Sequence, residues 1–323
     1  MTNSFPERKH WLDALRAMAI LFVVMGHQAH WWGNFFTFTT PIKIPLFFAI
    51  SGYLFNPRGG DSKSFFLNLF RKLVFPYFCL VTIPAVFYSM YHGISVLLNS
   101  WYSILSGDTY WFKTCIIVAE VIHFVIRKYC HKIWQISLVC LLCAFIGFIL
   151  SKYGLGNFGT INTALICQAY LLLGLLIKKN ECFLDRIRLP YTIVAILAYI
   201  ALCYSARFFF DETGFDCHHN RYYNVPYCWL LIALGCTSCF LLAKQIWRFP
   251  RWLVFVGQNT LVLYLWAGHA MLLFVALSKL GIFLPERSIL VAFLQTVYEC
   301  VACMCAAYII NRYIPVILGK KNK

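Results

Sequence analysis

The sequence is poor in charged residues. Only 12% of its 323 residues are charged, and only 12 are Asp or Glu, whereas 61% are hydrophobic. Soluble globular proteins contain about 25% charged and about 45–50% apolar residues. A soluble fold of this length would need more charge to cover its surface, so we expect lipid to be its solvent. The same composition excludes a disordered chain, a fibrous repeat and a small disulfide scaffold.

The sequence also lacks a repeat of fixed period and a low-complexity tract. We expect no cleavable signal peptide, because Asp13 and Arg16 interrupt the first apolar run and no small-residue cleavage pattern follows it. The longest predicted outer loop, about residues 208–225, is too short to fold alone. Residues 1–323 are therefore predicted to form a single membrane domain.

Long apolar runs are abundant, and a membrane-spanning helix needs about 20 mostly apolar residues. The runs predict an all-α, polytopic integral membrane protein with about ten transmembrane helices. These helices are predicted near residues 11–31, 41–57, 73–97, 110–127, 133–151, 161–178, 190–207, 226–243, 253–278 and 287–317.

Basic residues outnumber acidic ones and give a net charge of +16. Such an excess occurs in nucleic-acid-binding proteins, but in multi-pass membrane proteins it marks the cytoplasmic loops. With ten helices and a cytoplasmic N-terminus, 20 of the 28 Lys and Arg fall on the cytoplasmic side and six on the other. Arg16 and Lys113 remain within the membrane. We therefore expect both termini in the cytoplasm and no nucleic-acid partner.

The 15 cysteines do not form a redox or metal pattern. Free cysteine in an apolar helix behaves as a small hydrophobe. Three C-x-x-C pairs lie in apolar helices, namely Cys140/Cys143, Cys236/Cys239 and Cys300/Cys303. Only Cys217 lies clearly in a predicted outer loop, so no disulfide framework is expected. The triplet Cys217-His218-His219 is either a metal ligand set or a polar loop tip; we prefer the loop tip and expect no metal.

The first predicted helix carries three ionisable residues in a stripe. An ionisable side chain at mid-membrane costs at least ~2.5–3.5 kcal/mol, so each is a functional candidate. Asp13 and Arg16 are three residues apart and can pair on one helix face. Arg16 and His27 are eleven apart, on nearly the same face and roughly 16 Å apart along the axis.

The stripe has a structural and a functional interpretation. The structural one is an ion pair plus an interfacial histidine. The functional one is general-base catalysis, because histidine can take a proton from a hydroxyl near neutral pH, and an acyl transfer to a sugar hydroxyl is one reaction that needs such a base. Arg16, held by Asp13, would then bind a phosphate or a carbonyl oxygen. For the complete stripe we favour the functional interpretation.

Several motifs resemble the acyltransferase-3 family, the membrane-bound O-acyltransferases that modify surface glycans. The resemblance covers nearly the whole chain. Its motifs are Leu12-Asp13-x-x-Arg16-Ala17, the Arg16-to-His27 spacing, Pro45-Leu46-Phe47-Phe48-x-Ile50-Ser51-Gly52-Tyr53-Leu54, Arg71-Lys72 before Pro76-Tyr77, Trp111-Phe112, and Gly257-x-Asn259-Thr260-Leu261-x-x-Tyr264-Leu265.

The resemblance implies that acetyl-CoA is the acyl donor and that the histidine of the first helix is essential. The predicted catalytic residues are therefore His27, Arg16 and Asp13. His27 acts either as a general base or as a transient acyl carrier. The acceptor would be a surface polysaccharide or its lipid-linked precursor, and the location the bacterial cytoplasmic membrane.

The predicted donor-binding residues are Arg71 and Lys72, which would contact the CoA phosphates or serve as ordinary cytoplasmic charges. They stand where the family has paired arginines, with Asn68 or Leu69 at the position of the first. Two further positions depart from the family pattern. Lys113 stands after Trp111-Phe112, where the family has a leucine. His269 follows Tyr264 by five residues, whereas the family's histidine follows by three.

The predicted acceptor-binding residues are Trp111, Lys113, Glu120 and His269. Lys113 and Glu120 are seven residues apart, so they form a buried structural pair or take part in acceptor binding. Glu299 is an alternative partner for Lys113 or for Arg16.

Two other segments also have two interpretations. Ser51-Gly52 indicates close helix packing, or a serine nucleophile for which no base at a fixed spacing is found. The outer aromatic residues form an interfacial belt or a platform for a sugar or lipid carrier; they are Trp31, Trp32, Phe35, Phe36 and Phe38.

A transporter of a small molecule or lipid-linked sugar is the alternative function. The sequence shows neither repeated halves nor a matched pair of Gly- or Pro-broken helices, which are the usual marks of a transport site. A catalytically inactive relative that serves as an assembly partner is a third possibility. The sequence does not predict an oligomeric state.

Overall fold

The computed structural model describes residues 9–27, 35–56, 61–210, 215–246, 248–281 and 288–320. Within these ranges the regular secondary structure is helical, apart from one isolated antiparallel bridge between Asp216 and Arg221. The all-α prediction is therefore confirmed.

Sixteen α-helices are found in the described ranges. They are α1 His10–Gly26, α2 Phe35–Lys43, α3 Pro45–Leu54, α4 Ser62–Leu69, α5 Phe75–His92, α6 Ser95–Ser106, α7 Trp111–Tyr129, α8 Ile133–Lys152, α9 Ile161–Ile166, α10 Gln168–Lys179, α11 Glu181–Leu184, α12 Leu189–Phe209, α13 Val225–Gln245, α14 Arg251–Gln258, α15 Thr260–Lys279 and α16 Ile289–Tyr313. A π-helical turn, Phe70–Val74, joins α4 to α5, and 3-10 turns lie at Phe158–Thr160 and Pro315–Leu318.

The helices are long and apolar enough for a multi-pass membrane protein. Six described helical segments could each cross a membrane, or up to nine if each bent helix pair counts as one span. The 17-residue α1 is not among them, and residues 28–31 of the first predicted span lie outside the described ranges. The ten spans and the cytoplasmic termini therefore stay predictions.

The prediction of a single helix over residues 253–278 is wrong. The chain bends by 87° between α14 and α15, at Asn259. The Asn259 side-chain amide donates to the Phe255 carbonyl at 2.8 Å, and its backbone N–H donates to Val256 at 3.0 Å. Asparagine competes in this way with the regular helical hydrogen bonds, so α14 ends there. The predicted helix 161–178 is likewise bent, by 44° between α9 and α10.

The predicted helix 73–97 has different ends. Helix α4, the π turn and α5 form one run over Ser62–His92, and Gly93 ends it with φ 87°. Glycine is suited to this position because it has no Cβ. A helix that the sequence did not predict, α6, follows at Ser95–Ser106 and forms a bent pair with α7. The apolar runs thus predicted single unbroken helices at places where the structure has pairs of helices joined at a bend.

The described chain forms two compact units. The first contains residues 1–50, 180–209 and 229–304, and the second contains 51–179, 210–228 and 305–323. Helices α3, α13 and α16 begin in one unit and end in the other.

In the first unit, α1 packs against α2, α14 and α15. Its residues Leu15, Ala17 and Ile20 are completely buried. Small residues let helix backbones approach closely in membranes. At Gly257 of α14 this approach is extreme, since a Cβ there would lie 1.7 Å from the Asp13 carbonyl oxygen.

In the second unit, α8 packs against α7, α9 and α10. One core cluster contains Ile126, Ile136, Leu172 and Leu175 together with Cys140. Cys140 is completely buried among these aliphatic side chains, as expected of a cysteine that acts as a small hydrophobe.

The contact at Gly257 generates a prediction about stability. Gly257→Ala must push α14 away from α1, because the added methyl would meet rigid backbone. Overpacking of this kind costs about 1–3 kcal/mol. We expect a lower melting temperature for the purified protein in detergent.

Gly268→Ala in the neighbouring α15 is the matched control, since nothing lies within 4 Å of its Cβ position. Alanine is a better helix former than glycine, so this variant should melt at or above the wild-type temperature. Equal melting temperatures for Gly257→Ala and the wild type would contradict the close α1–α14 contact.

Candidate functional site

A buried carboxylate on α1 is the centre of the polar network in the first unit. Asp13 is 2% exposed, and Arg16 Nη1 donates to its Oδ1 at 3.3 Å. Gln258 Nε2, at the end of α14, donates to the other oxygen, Oδ2, at 3.2 Å. The helical spacing predicted the Asp13–Arg16 pair, which is present. Gln258 was missed, although it lies inside the Gly257-x-Asn259 motif.

This network fixes Arg16 without burying it. The Arg16 side chain is 33% exposed, whereas that of Asp13 is 3% exposed. A guanidinium carries five N–H donors in a rigid, planar fork that suits phosphate and carboxylate oxygens. Arg16 is therefore a cation that Asp13 holds in place and that remains partly exposed.

His27 directly follows α1. Its backbone N–H donates to the Val24 carbonyl at 3.1 Å, and the residue is exposed. The position before it, Gly26, leaves room for a cation, because Lys43 Nζ lies 2.9 Å from where a Gly26 Cβ would be. Lys43 also interacts electrostatically with His27 and lies over the Phe36 ring at 4.6 Å.

Sequence reasoning did not assign Lys43 to the site. One signal could have found it, because Lys43 is the single charged residue in the apolar run 35–54. A cation beside an imidazole can stabilise negative charge that develops as a hydroxyl attacks a carbonyl. Lys43 at the C-terminal end of α2 thus adds a second functional group beside His27.

In the second unit, Glu120 of α7 pairs with a residue that was not predicted as its partner. Ser51 Oγ donates to Glu120 Oε1 at 2.5 Å. Lys113, two helical turns before Glu120, is 9% exposed. Glu299, in the first unit, is buried and accepts a 2.9 Å hydrogen bond from Gln295.

Trp111, at the start of α7, stacks on a histidine of the loop before α13. The Trp111 and His218 rings are 4.8 Å apart and 13° from parallel. His219 Nδ1 lies 2.6 Å from Asp216 Oδ2, and the His218 backbone N–H donates to Asp216 Oδ1 at 2.8 Å. Although burial opposes it, hydrogen bonding from His219 and His218 lowers the pKa of Asp216.

The triplet Cys217-His218-His219 is therefore divided among three environments. Cys217 is 7% exposed, whereas His218 stacks on Trp111 and His219 pairs with Asp216. Across the described ranges, no group of three or more His, Cys, Asp or Glu side chains could hold a metal ion. The absence of a metal at the triplet stays a prediction.

Arg71 and Lys72 are exposed residues of the π-helical turn. Such turns frequently mark functional sites. Gly319, with φ 67°, packs against the Arg71 backbone, since a Cβ there would lie 2.2 Å from the Arg71 carbonyl oxygen. The C-terminal 3-10 turn thus fixes the backbone that presents these two cations.

The remaining predicted residues lie at separate places. His269 is half-buried in α15 of the first unit. Of the outer aromatic residues, Phe38 stacks on Tyr204 with ring centres 5.9 Å apart. Trp31 and Trp32 lie outside the described residues.

Comparison with known proteins identifies the family. No curated protein and no solved structure matches the chain. A family model described as an acyltransferase domain matches residues 9–312. This range includes α1 with its Asp13–Arg16 pair, His27 and the Gly257-x-Asn259 motif. The chain therefore belongs to the acyltransferase-3 family and is a multi-pass membrane acyltransferase.

Proposed function

We propose that the protein is an O-acetyltransferase of the bacterial cytoplasmic membrane. It transfers acetyl from acetyl-CoA to a hydroxyl of a surface polysaccharide or its lipid-linked precursor. The observation that carries this proposal is the polar stripe of α1. Arg16 donates to Asp13, which also accepts from Gln258, and His27 follows the same helix with Lys43 beside it.

His27 is the proposed base. It takes the proton of the acceptor hydroxyl while that oxygen attacks the thioester carbonyl carbon. Lys43 stabilises the negative charge that develops on the carbonyl oxygen. The carbon–sulfur bond then breaks, and the proton passes to the departing thiolate. In the alternative course His27 carries the acetyl group transiently before the acceptor receives it.

Arg16 organises the donor in this proposal. Asp13 neutralises part of its charge and holds the guanidinium in one orientation, which suits a phosphate or a carbonyl oxygen. Removing Asp13 would leave Arg16 charged but badly placed. Asp13 is thus a positioning residue, and Arg16 the residue that touches the donor.

Arg71 and Lys72 are the proposed contacts of the CoA phosphates. Both are exposed, and the π turn and Gly319 hold their backbone. For the acceptor we propose Trp111, Lys113, Glu120 and His269. The flat Trp111–His218 stack supports a sugar ligand, because the apolar face of a sugar ring packs on aromatic surfaces.

The first prediction from the proposed function concerns His27 and Lys43. We expect His27→Ala to lower acetyl transfer by about a hundredfold or more, since loss of a general base has that effect. Lys43→Met should lower kcat and leave the KM for acetyl-CoA nearly unchanged. The measurement is O-acetylation of surface glycan in cells with matched membrane levels, followed by kinetics of the purified protein.

Two exposed residues provide matched controls, His131→Ala and Lys152→Met. Both should retain wild-type acetylation. Unchanged acetylation in His27→Ala would contradict its catalytic role. If the wild type acetylated no glycan, small-molecule acceptors would be tested next.

The second prediction concerns the donor. Arg71→Gln and Lys72→Gln should each raise the KM for acetyl-CoA about tenfold with little change in kcat, because each removes a charged hydrogen bond worth about 1.5–3 kcal/mol. The control is Lys63→Gln, an exposed residue of α4 in the same unit. A KM that changes equally in all three variants would indicate a general charge effect and contradict a phosphate site.

Transport is a second candidate because of the bent helix pairs. Discontinuous helices often form transport sites, and α14 and α15 meet at 87°. Stabilisation of the purified protein by CoA would distinguish the two functions. A carrier of an unrelated substrate has no reason to bind CoA, whereas the acyltransferase should melt at a higher temperature in its presence.

A further inference from the structure

A serine hydroxyl and a carboxylate meet inside the second unit. Ser51 Oγ lies 2.5 Å from Glu120 Oε1, and both residues are partly buried. A separation of about 2.5–2.7 Å is typical of a hydroxyl that donates to an ionised carboxylate. Ser51 Oγ is the donor of this bond, and the Glu120 oxygen is the acceptor.

The backbone around Ser51 is held tightly. A Cβ on the next residue, Gly52, would lie 2.0 Å from the Leu171 carbonyl oxygen of α10. The end of α3 therefore packs directly on the α10 backbone. Tyr53, which follows, is 3% exposed.

The backbone around Glu120 is held as well. Gln168 Nε2 of α10 donates to the carbonyl of Ala119 at 3.0 Å and to that of Ala164 at 3.2 Å. Gln168 and Ala119 are completely buried. Helix α10 thus fixes both α3 and α7, and with them the two partners of the hydrogen bond.

A serine hydroxyl is a weak nucleophile unless a base stands beside it. Glu120 supplies such a base at hydrogen-bonding distance. A carboxylate within a membrane span is costly, which makes it a functional candidate by default. Ser51 also stands in the Ile50-Ser51-Gly52-Tyr53 motif, for which no base was found along the sequence.

We propose that Ser51 is a covalent acyl-carrying residue and Glu120 its base, an inference that rests on the proposed function. Glu120 takes the Ser51 proton while Oγ attacks the carbonyl carbon of an acyl thioester. The carbon–sulfur bond breaks, and Glu120 gives the proton to the thiolate. The products of this step are a serine ester and a free thiol.

The second step transfers the acyl group to the acceptor and regenerates the free Ser51 hydroxyl. The acceptor hydroxyl attacks the ester carbonyl carbon and gives its proton to Glu120, so in this two-step course Glu120 takes the place that direct transfer gives to His27. The bond between that carbon and Ser51 Oγ breaks, and Glu120 passes the proton to Oγ. The acceptor ester, the free serine and the carboxylate result, so atoms and charges balance over the two steps.

The test is to trap the serine ester. Full-length protein in detergent is incubated with acetyl-CoA labelled in the acetyl group and without an acceptor. We expect one label per chain on the peptide that contains Ser51, released by alkali. Ser51→Ala and Glu120→Gln should lose the label and lower acceptor acetylation about a hundredfold. Glu120→Gln keeps the size and a hydrogen-bond acceptor, so a purely structural role predicts normal labelling.

Two variants complete the test. Ser51→Cys should carry the label as a thioester, which neutral hydroxylamine releases. Ser89→Ala is the matched control, since its hydroxyl donates to the Val86 carbonyl of its own helix, α5. It should be labelled like the wild type.

Several outcomes would overturn the inference and leave the proposed function intact. One is wild-type acceptor acetylation by Ser51→Ala. Another is a label found on His27 alone, and a third is acetyl transfer by the wild type without any trapped label. If the wild type takes up no label and acetylates no acceptor, both the inference and the proposed function fail.

Discussion

The buried carboxylate of Asp13 is the constraint on which the first unit depends. An uncompensated charge in a low-dielectric interior is strongly destabilising, so both carboxylate oxygens need partners. Arg16 supplies one from the same helix, and Gln258 supplies the other from α14. Gln258 reaches Asp13 because Gly257 lets the two backbones touch. The close contact between α1 and α14 thus places a hydrogen-bond donor at the second carboxylate oxygen.

The second unit has the same arrangement of a close glycine contact beside a hydrogen-bonded carboxylate. Gly52 packs on a backbone carbonyl, that of Leu171, and the adjacent Ser51 donates to the carboxylate of Glu120. In each unit a glycine brings two helix backbones into contact, and the residue next to it in sequence donates a hydrogen bond to a carboxylate. Packing and polar chemistry are therefore coupled, so a substitution at either glycine should affect the polar site as well as stability.

The parts that the sequence predicted are local. The Asp13–Arg16 pair follows from a three-residue helical spacing, and the all-α membrane fold follows from the apolar runs. The Ser51–Glu120 and Asp13–Gln258 bonds join residues 69 and 245 positions apart. No periodicity encodes such pairs. The bend at Asn259 was missed because the sequence stays apolar on both sides of it. The Asn259 side chain ends α14 by bonding to the Phe255 carbonyl, and the average hydropathy of a segment does not reveal such a bond.

The length of α1 separates Arg16 from His27. Arg16 and His27 are eleven residues apart, roughly 16 Å along the helix, which exceeds the length of an arginine side chain. In the proposed mechanism, the Arg16 guanidinium and the His27 imidazole therefore contact different parts of the substrates. Lys43 Nζ lies beside Gly26, the residue before His27, so we propose Lys43 rather than Arg16 as the cation that stabilises charge at the reacting carbonyl. This separation favours Arg16 as the residue that holds the body of the donor.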